Sequence, residues 1–348
     1  MRNTVRFLDG EGQPRLGTVA GRDSELRLTA LSDAQASHVD PAPGLVVGHL
    51  TDLHVHLQLV DSELLADSAI GTVLDLGGEP GALAGLRAAA PNGVSVAYAG
   101  AFLTAPGGYP SDRAWAPPGS FRELAAPADA AAAVAEMHGF GATVIKVASN
   151  STAGPVLSDE LFRAVVSAAA GLGMPVVAHA EGPGEAARVR RLGATMLAHT
   201  PFSERLDEAE LHAHVETVTW ISTLDVHGWG AGGDEFEIAR DNLTAFHRLG
   251  GTVRYGTDLG NGPLPIGVNP REVAALRAAG LTALEILASM APADPELAST
   301  RLVFVPDAGE SATATATALD IAAARPLTLA DLAATGSNSA TAPREDHS

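Results

Sequence analysis

The sequence contains no cysteine. Disulfides, thiolate metal sites and a cysteine nucleophile are thereby excluded, which leaves histidine and carboxylate side chains as the metal ligands available. Positive charge is scarce: 22 lysines and arginines stand against 41 acidic residues, a formal charge of -19. Such an excess disfavours nucleic acid and anionic membranes as partners. No apolar run reaches the length of a membrane span, and no apolar segment follows Met1-Arg2-Asn3-Thr4-Val5-Arg6 in the manner of a signal peptide. The expectation is a cytoplasmic protein, with a homo-oligomer open. Lysine is nearly absent too: Lys146 is the only one in the chain. A coding bias towards arginine explains why lysine is missing elsewhere, but not why one is kept inside an apolar run.

What is present is a globular chain. Hydrophobic residues make up 46% of 348 positions, enough for one large core. The chain is organised around Thr51-Asp52-Leu53-His54-Val55-His56-Leu57. In a strand, residues two apart share a face, so His54 and His56 would project side by side as a two-nitrogen chelate. In a helix they would diverge.

Before this stretch, residues 1–47 read as a β-rich flank of short strands and turns. After it, apolar β-like runs alternate with Ala-rich helical segments. The runs are centred on residues 49–57, 71–76, 94–99, 143–147, 175–179, 195–199, 218–223 and 252–258, and a Pro- and Gly-rich loop spans 103–120. Helix ends are legible at Ser158, at Asn269-Pro270-Arg271-Glu272 and at Thr282-Ala283-Leu284-Glu285. The pattern predicts a parallel (β/α)8 TIM barrel over residues 48–292, a doubly wound sheet being disfavoured because the first βα turn has no glycine fingerprint. A further strand at 301–305 is expected to pair with the flank, giving a small β-sandwich-like subdomain with about residues 300–330. Ser311 to Ala318 is low in complexity, and 335–348 reads as a disordered tail.

Polar residues then line up on the apolar runs: His54 and His56 on the first, Lys146 on the fourth, His179 on the fifth, His199 on the sixth and Asp258 on the eighth. Most stand at or near the C-terminal end of their run, where barrels build active sites. Buried ionisable groups are costly unless paired or bound to metal, so their convergence points to a metal site. His227, after the seventh run, and Tyr109, in the loop after the third, are candidate substrate contacts. His212-Ala213-His214 is a second His-x-His, but it reads as an outer helix with a solvated face. Glu181, just after His179, is set aside as a feature that deaminases use.

These segments, with Val177-Ala178-His179-Ala180-Glu181-Gly182 and Tyr255-Gly256-Thr257-Asp258, resemble the metal-dependent amidohydrolase superfamily, and most closely its imidazolonepropionase-like subgroup with prolidase-type members. The resemblance runs from the β-rich flank to the helix after Ala283. It implies that His54, His56 and Asp258 hold one divalent ion, zinc by family habit. His179 and His199 would hold a second, and Lys146, converted by CO2 to a carbamate (carboxylysine), would bridge both. Two such ions share a hydroxide of pKa near ~7 that attacks a carbonyl, with Asp258 moving its proton to the leaving amine. The implied activity is hydrolysis of an amide bond in a small molecule, a dipeptide or N-acyl amino acid. Alternatives are an ester, lactone, carbamate or phosphotriester hydrolase on the same site, and a non-catalytic scaffold.

Overall fold

The computed structural model describes residues 4–22, 25–39, 41–91, 93–297, 300–308 and 319–333. The Ser311 to Ala318 segment and the 335–348 tail lie outside them. The chain divides into two compact units, residues 1–49 with 292–348, and residues 50–291.

The first unit begins with strands β1 (Thr4–Leu8), β2 (Pro14–Ala20), β3 (Arg27–Ala30) and β4 (Ala42–Gly48). Among its described residues the second carries ten strands. They are β5 (Leu50–Val55), β6 (Ile70–Asp75), β7 (Ser95–Tyr98), β8 (Phe102–Thr104), β9 (Phe121–Glu123), β10 (Ile145–Asn150), β11 (Val176–Glu181), β12 (Met196–Leu197), β13 (Thr219–Ile221) and β14 (Val253–Arg254). The chain then returns to the first unit with β15 (Leu302–Val305) and β16 (Arg325–Pro326).

In the first unit all six strands form one sheet, in the order β16-β15-β4-β1-β2-β3. The 301–305 run does pair with the flank, antiparallel to β4 through Val303 and Val47. Val5, Phe7, Val46 and Leu302 pack together on one face of this sheet. The expected sandwich is corrected: among the described residues there is a single sheet in this unit.

The second unit is a mixed α/β fold with parallel sheets. One sheet has the order β5-β6-β7, the other β14-β13-β12-β11-β10-β8-β9. β10 and β11 are buried along nearly their whole length, so neither shows the alternation of a half-exposed strand. Backbone hydrogen bonds also link the ends of the two sheets. Leu53 N donates to Tyr255 O (3.0 Å), Asp258 N to His54 O (2.7 Å) and His56 N to Leu259 O (2.7 Å), while Thr143 N donates to Tyr98 O (2.9 Å). One hydrophobic cluster takes Leu53 and Leu74 from the first sheet and Val177 and Ile221 from the second.

Helix ends follow local chemistry. Ser158 Oγ accepts from Leu161 N and starts the Asp159–Gly171 helix. Thr282 and Glu285 close both arms of a capping box. At Asn269 no box forms: its side chain accepts from Arg271 N at 3.0 Å, and Glu272 is buried and accepts instead from Asp225 N, at 2.8 Å. The loop predicted over 103–120 is partly strand: Phe102–Thr104 pairs with β9 and β10. Among the described residues no helix is long and apolar enough to cross a membrane.

Candidate functional site

His54 is the last residue but one of β5 and His56 follows the strand directly, so the period of a strand sets their rings side by side, 5.3 Å apart. Asp52, two residues before His54, is fully buried and works on the backbone. Its carboxylate accepts from His54 N (3.0 Å), Thr257 N (3.1 Å) and Thr257 Oγ1 (2.6 Å). It thereby ties β5 to the segment that ends in Asp258, although burial raises its own pKa to about 7 against those hydrogen bonds. Gly256 makes the approach possible: a Cβ there would stand 2.4 Å from Ile221 and 3.0 Å from His54. Asp258 itself has φ +59°, a left-handed conformation that Asp tolerates better than most residues.

The ring protons can be placed from their partners. His54 Nδ1 lies 2.8 Å from Ala198 O and His56 Nδ1 lies 3.0 Å from Gly77 O. A carbonyl only accepts, so each Nδ1 carries the hydrogen and each neutral Nε2 presents a lone pair. Both lone pairs face Asp258 Oδ1, at 3.2 Å from His54 and 3.1 Å from His56. The His54 approach lacks hydrogen-bond geometry, and His54 Nε2 is otherwise a buried atom with no partner. Acceptors facing a carboxylate oxygen repel unless something positive lies between them. A proton serves on His56: burial works against its charge, but the hydrogen bond and charge of Asp258 prevail and its pKa is raised. A metal ion could serve all three groups at once.

His199 completes this cluster. Its ring is 4.8 Å from His54 and its Nδ1 is hydrogen-bonded to Thr223 Oγ1 at 2.8 Å. One potential ligand atom each from His54, His199 and Asp258 lie within 4.8 Å of one another. Burial, helped by neighbouring positive groups, holds His54 and His199 well below the usual histidine range, so both are neutral and able to ligate. Burial opposes the charge of Asp258 as well, but His54 and His56 outweigh it and keep the carboxylate ionised. His179, 5.0 Å from His199, donates from Nε2 to Glu181 Oε2 at 3.0 Å. Its Nδ1 is then the free lone pair. The donor set is nitrogen and oxygen only, with the tautomers of His54, His56 and His179 set by acceptor-only partners, and it fits a divalent ion.

Lys146 is placed differently from the expectation. It is the second residue of β10, near the strand's start, opposite Val177 and two rungs below the Ala148–His179 pair. Two residues of strand rise about 6.6 Å, which only a long side chain recovers. The pocket contains it all the same. Its ammonium lies 5.9 Å from the centre of the Phe102 ring, and burial lowers its pKa to about 7 despite Asp258 and Asp75.

All eight residues singled out from the sequence line one cavity of about 480 Å³. His227 is there, buried, with Nε2 unpartnered and its ring 4.3 Å from Phe202. Burial lowers its pKa to about 4. Tyr109 stacks on His179 with centroids 5.3 Å apart, and burial raises its pKa. The segment bearing His227 is held by Asp225, which accepts from Asn269 Nδ2 (2.8 Å) and pairs with Arg271 (2.9 Å).

Other lining residues were not foreseen: Phe102, Trp115, Glu181, Phe202, Trp229 and Glu235. Only Glu181 left a signal, since a residue two after His179 shares its face. Asn261 donates to Asp258 Oδ2 at 2.8 Å, orienting the carboxylate. The reading of His214 as solvated is corrected. Helix Glu208–Thr217 does spread the two rings, but His214 turns inward and accepts from Trp220 Nε1 at 3.0 Å, while His212 is exposed.

No protein-family model and no curated protein matches the chain. Solved structures do. A Xaa-Pro dipeptidase with methionine bound in its active site is 19% identical, with a TM-score of 0.66 over 87% of this chain and 93% of that one. An ochratoxinase of A. niger is 17% identical, with a TM-score of 0.64 over 86% and 87%. A phenylurea hydrolase B is 15% identical, with a TM-score of 0.62 over 86% and 90%. The chain has the fold of these proteins, and the likeness to amidohydrolases seen in its motifs extends to its architecture.

Proposed function

We propose that this protein is a metal-dependent hydrolase that cleaves an amide bond of a small molecule at the mouth of a closed (β/α)8 barrel. The observation that carries the reading is the convergence of His54 Nε2 and His56 Nε2 on the ionised, buried carboxylate of Asp258, with a ligand atom of His199 within 4.8 Å of those of His54 and Asp258. The bonds from β5 to the Tyr255–Leu259 segment, together with the hydrophobic cluster shared by both sheets, support closure of the barrel. His54, His56 and Asp258 would hold one ion, His179 and His199 a second, with a carbamate of Lys146 between them. The nitrogen and oxygen donors suit zinc. When bound, such ions supply Lewis acidity for the carbonyl and ionise water near neutral pH.

The chain's own residues do the rest. Asp258, oriented by Asn261, accepts a proton from the attacking water and delivers it to the leaving nitrogen. Tyr109 and His227 face the cavity from two different loops and position the substrate. The fixed imidazoles of His54 and His56 need no reorganisation during the reaction.

Metal analysis and a substrate panel test this. The purified protein is expected to carry about two divalent ions per chain. Its hydrolysis of at least one dipeptide, N-acyl amino acid or aryl amide should be lost on chelation and restored by zinc. Turnover of esters, lactones, carbamates or phosphotriesters with all amides inert would move the reaction to that class. Metal-free protein, inert to the whole panel, would leave only a scaffold. A second expectation concerns His227. His227→Ala should leave metal content unchanged while lowering kcat/KM by about tenfold or more, the worth of one hydrogen bond to substrate. Loss of an ion in that variant would make His227 a ligand.

A further inference from the structure

The histidines, Lys146 and Asp258 account for one end of the cavity. The remaining wall has a chemistry of its own. Its charged side chains are Glu181 and Glu235, and Lys146, already in the ligand set, is the only lysine or arginine among the described lining residues. Arg113 sits 5.6 Å over the Tyr109 ring but pairs with Asp112 at 3.4 Å, and Arg271 is engaged by Asp225.

We propose that this wall selects an amide substrate bearing a protonated amine beside an aromatic or similar apolar group, and turns away one bearing a free carboxylate. The proposal rests on the hydrolase reading above for the word substrate, but the charge selection stands on the wall alone.

Three independent features point the same way. Glu181 is a fixed anion: Asn150 Nδ2, Thr152 Oγ1 and His179 Nε2 donate to it at 2.7, 2.8 and 3.0 Å. His227 offers an acceptor. Glu235 Oε2 stands 3.6 Å from its Nδ1 and favours the proton there, which leaves the buried, unpartnered Nε2 as a lone pair on a ring that lines the cavity. A carboxylate brings only further acceptors to these groups, whereas an ammonium brings N–H donors. Aromatic rings make up much of the rest. Tyr109 and Trp115 lie 6.1 Å apart, and Trp115 and Trp229 remain 41% and 44% exposed. The indole N–H of Trp229 is spent on Asn261 O, at 3.2 Å. Ring faces attract cations and repel anions.

A matched series of phenylalanine p-nitroanilides tests the proposal on the zinc-loaded protein: the free α-amine, its N-acetyl derivative and its N-succinyl derivative. The expected order of kcat/KM is amine, acetyl, succinyl, with about tenfold or more between the first and last. Equal values, or a preference for the succinyl compound, overturn it. Glu235→Arg, at an exposed position, should shrink the amine-to-succinyl ratio several-fold, and an unchanged ratio removes Glu235 from the wall's selection. If no anilide is cleaved, calorimetry still decides. N,N-dimethylphenethylamine, protonated at neutral pH and crowded at nitrogen, should bind at least about tenfold tighter than 3-phenylpropionate. In that case the hydrolysis fails and the charge selection holds; equal or reversed affinities refute the selection itself.

Discussion

Lys146→Arg is expected to abolish turnover and to remove the bridged metal. A lysine in water is ionised well above neutral pH, but burial brings Lys146 to about 7, so a large share of it is free amine. Free amine is what reacts with CO2. Arginine stays protonated and forms no carbamate. It would instead set a permanent cation among His54, His56 and His199, where positive groups already lower one another's pKa. Lys146→Ala should lose activity as well, but it leaves room near the ligands. Millimolar formate or acetate is expected to restore part of it, with no rescue of Lys146→Arg, whose side chain fills the space. Metal content and turnover of the three proteins are the measurements. A Lys146→Arg protein with two ions and normal turnover would end the carbamate reading. Stability offers a separate check. The pKa of Lys146 is lower folded than unfolded, so the unfolded chain binds this proton more tightly. The metal-free protein should therefore gain stability from this group as pH rises from about 7 towards about 10.4, and Lys146→Met should lack that gain.

Asp258→Asn should lower turnover by about 10²-fold or more, the lower range for general acid–base catalysis, while the fold persists. Asparagine accepts the left-handed backbone of this position, and its amide oxygen can still accept from Asn261. Its NH2, however, would donate to the Nε2 lone pairs of His54 and His56, competing with a metal ion for them. Occupancy of the first ion should drop with the rate. A thermal melt separates these effects from misfolding. Turnover near wild type would take Asp258 out of the mechanism.

Much of the site was legible because its signals are local. A period of two puts His54 beside His56 in any strand, and a lone lysine inside Val144-Ile145-Lys146-Val147 is costly enough to need a purpose. The same rule would have placed Glu181 beside His179, had its likeness to a deaminase glutamate not set it aside. Errors arose where tertiary contacts override local preference. His212-Ala213-His214 is polar and helical by pattern, yet His214 turns inward because Trp220 offers it an N–H. Glu272 leaves the capping box begun at Asn269 because Asp225 N is there to be bonded.

The sequence by itself determined the alternation of strands and helices, the absence of thiolate chemistry and which histidines, lysine and aspartate stood as candidate ligands. Each follows from composition or from neighbours within a few positions. Only the tertiary structure decided which lone pairs face Asp258, how deep Lys146 begins, and that Glu181, Glu235 and the indoles of Trp115 and Trp229 share a wall. Those facts depend on pairings such as Asp52 with Thr257, 205 residues apart. No periodicity encodes a contact of that separation. It forms because burying the intervening apolar strands brings the two ends to the same place.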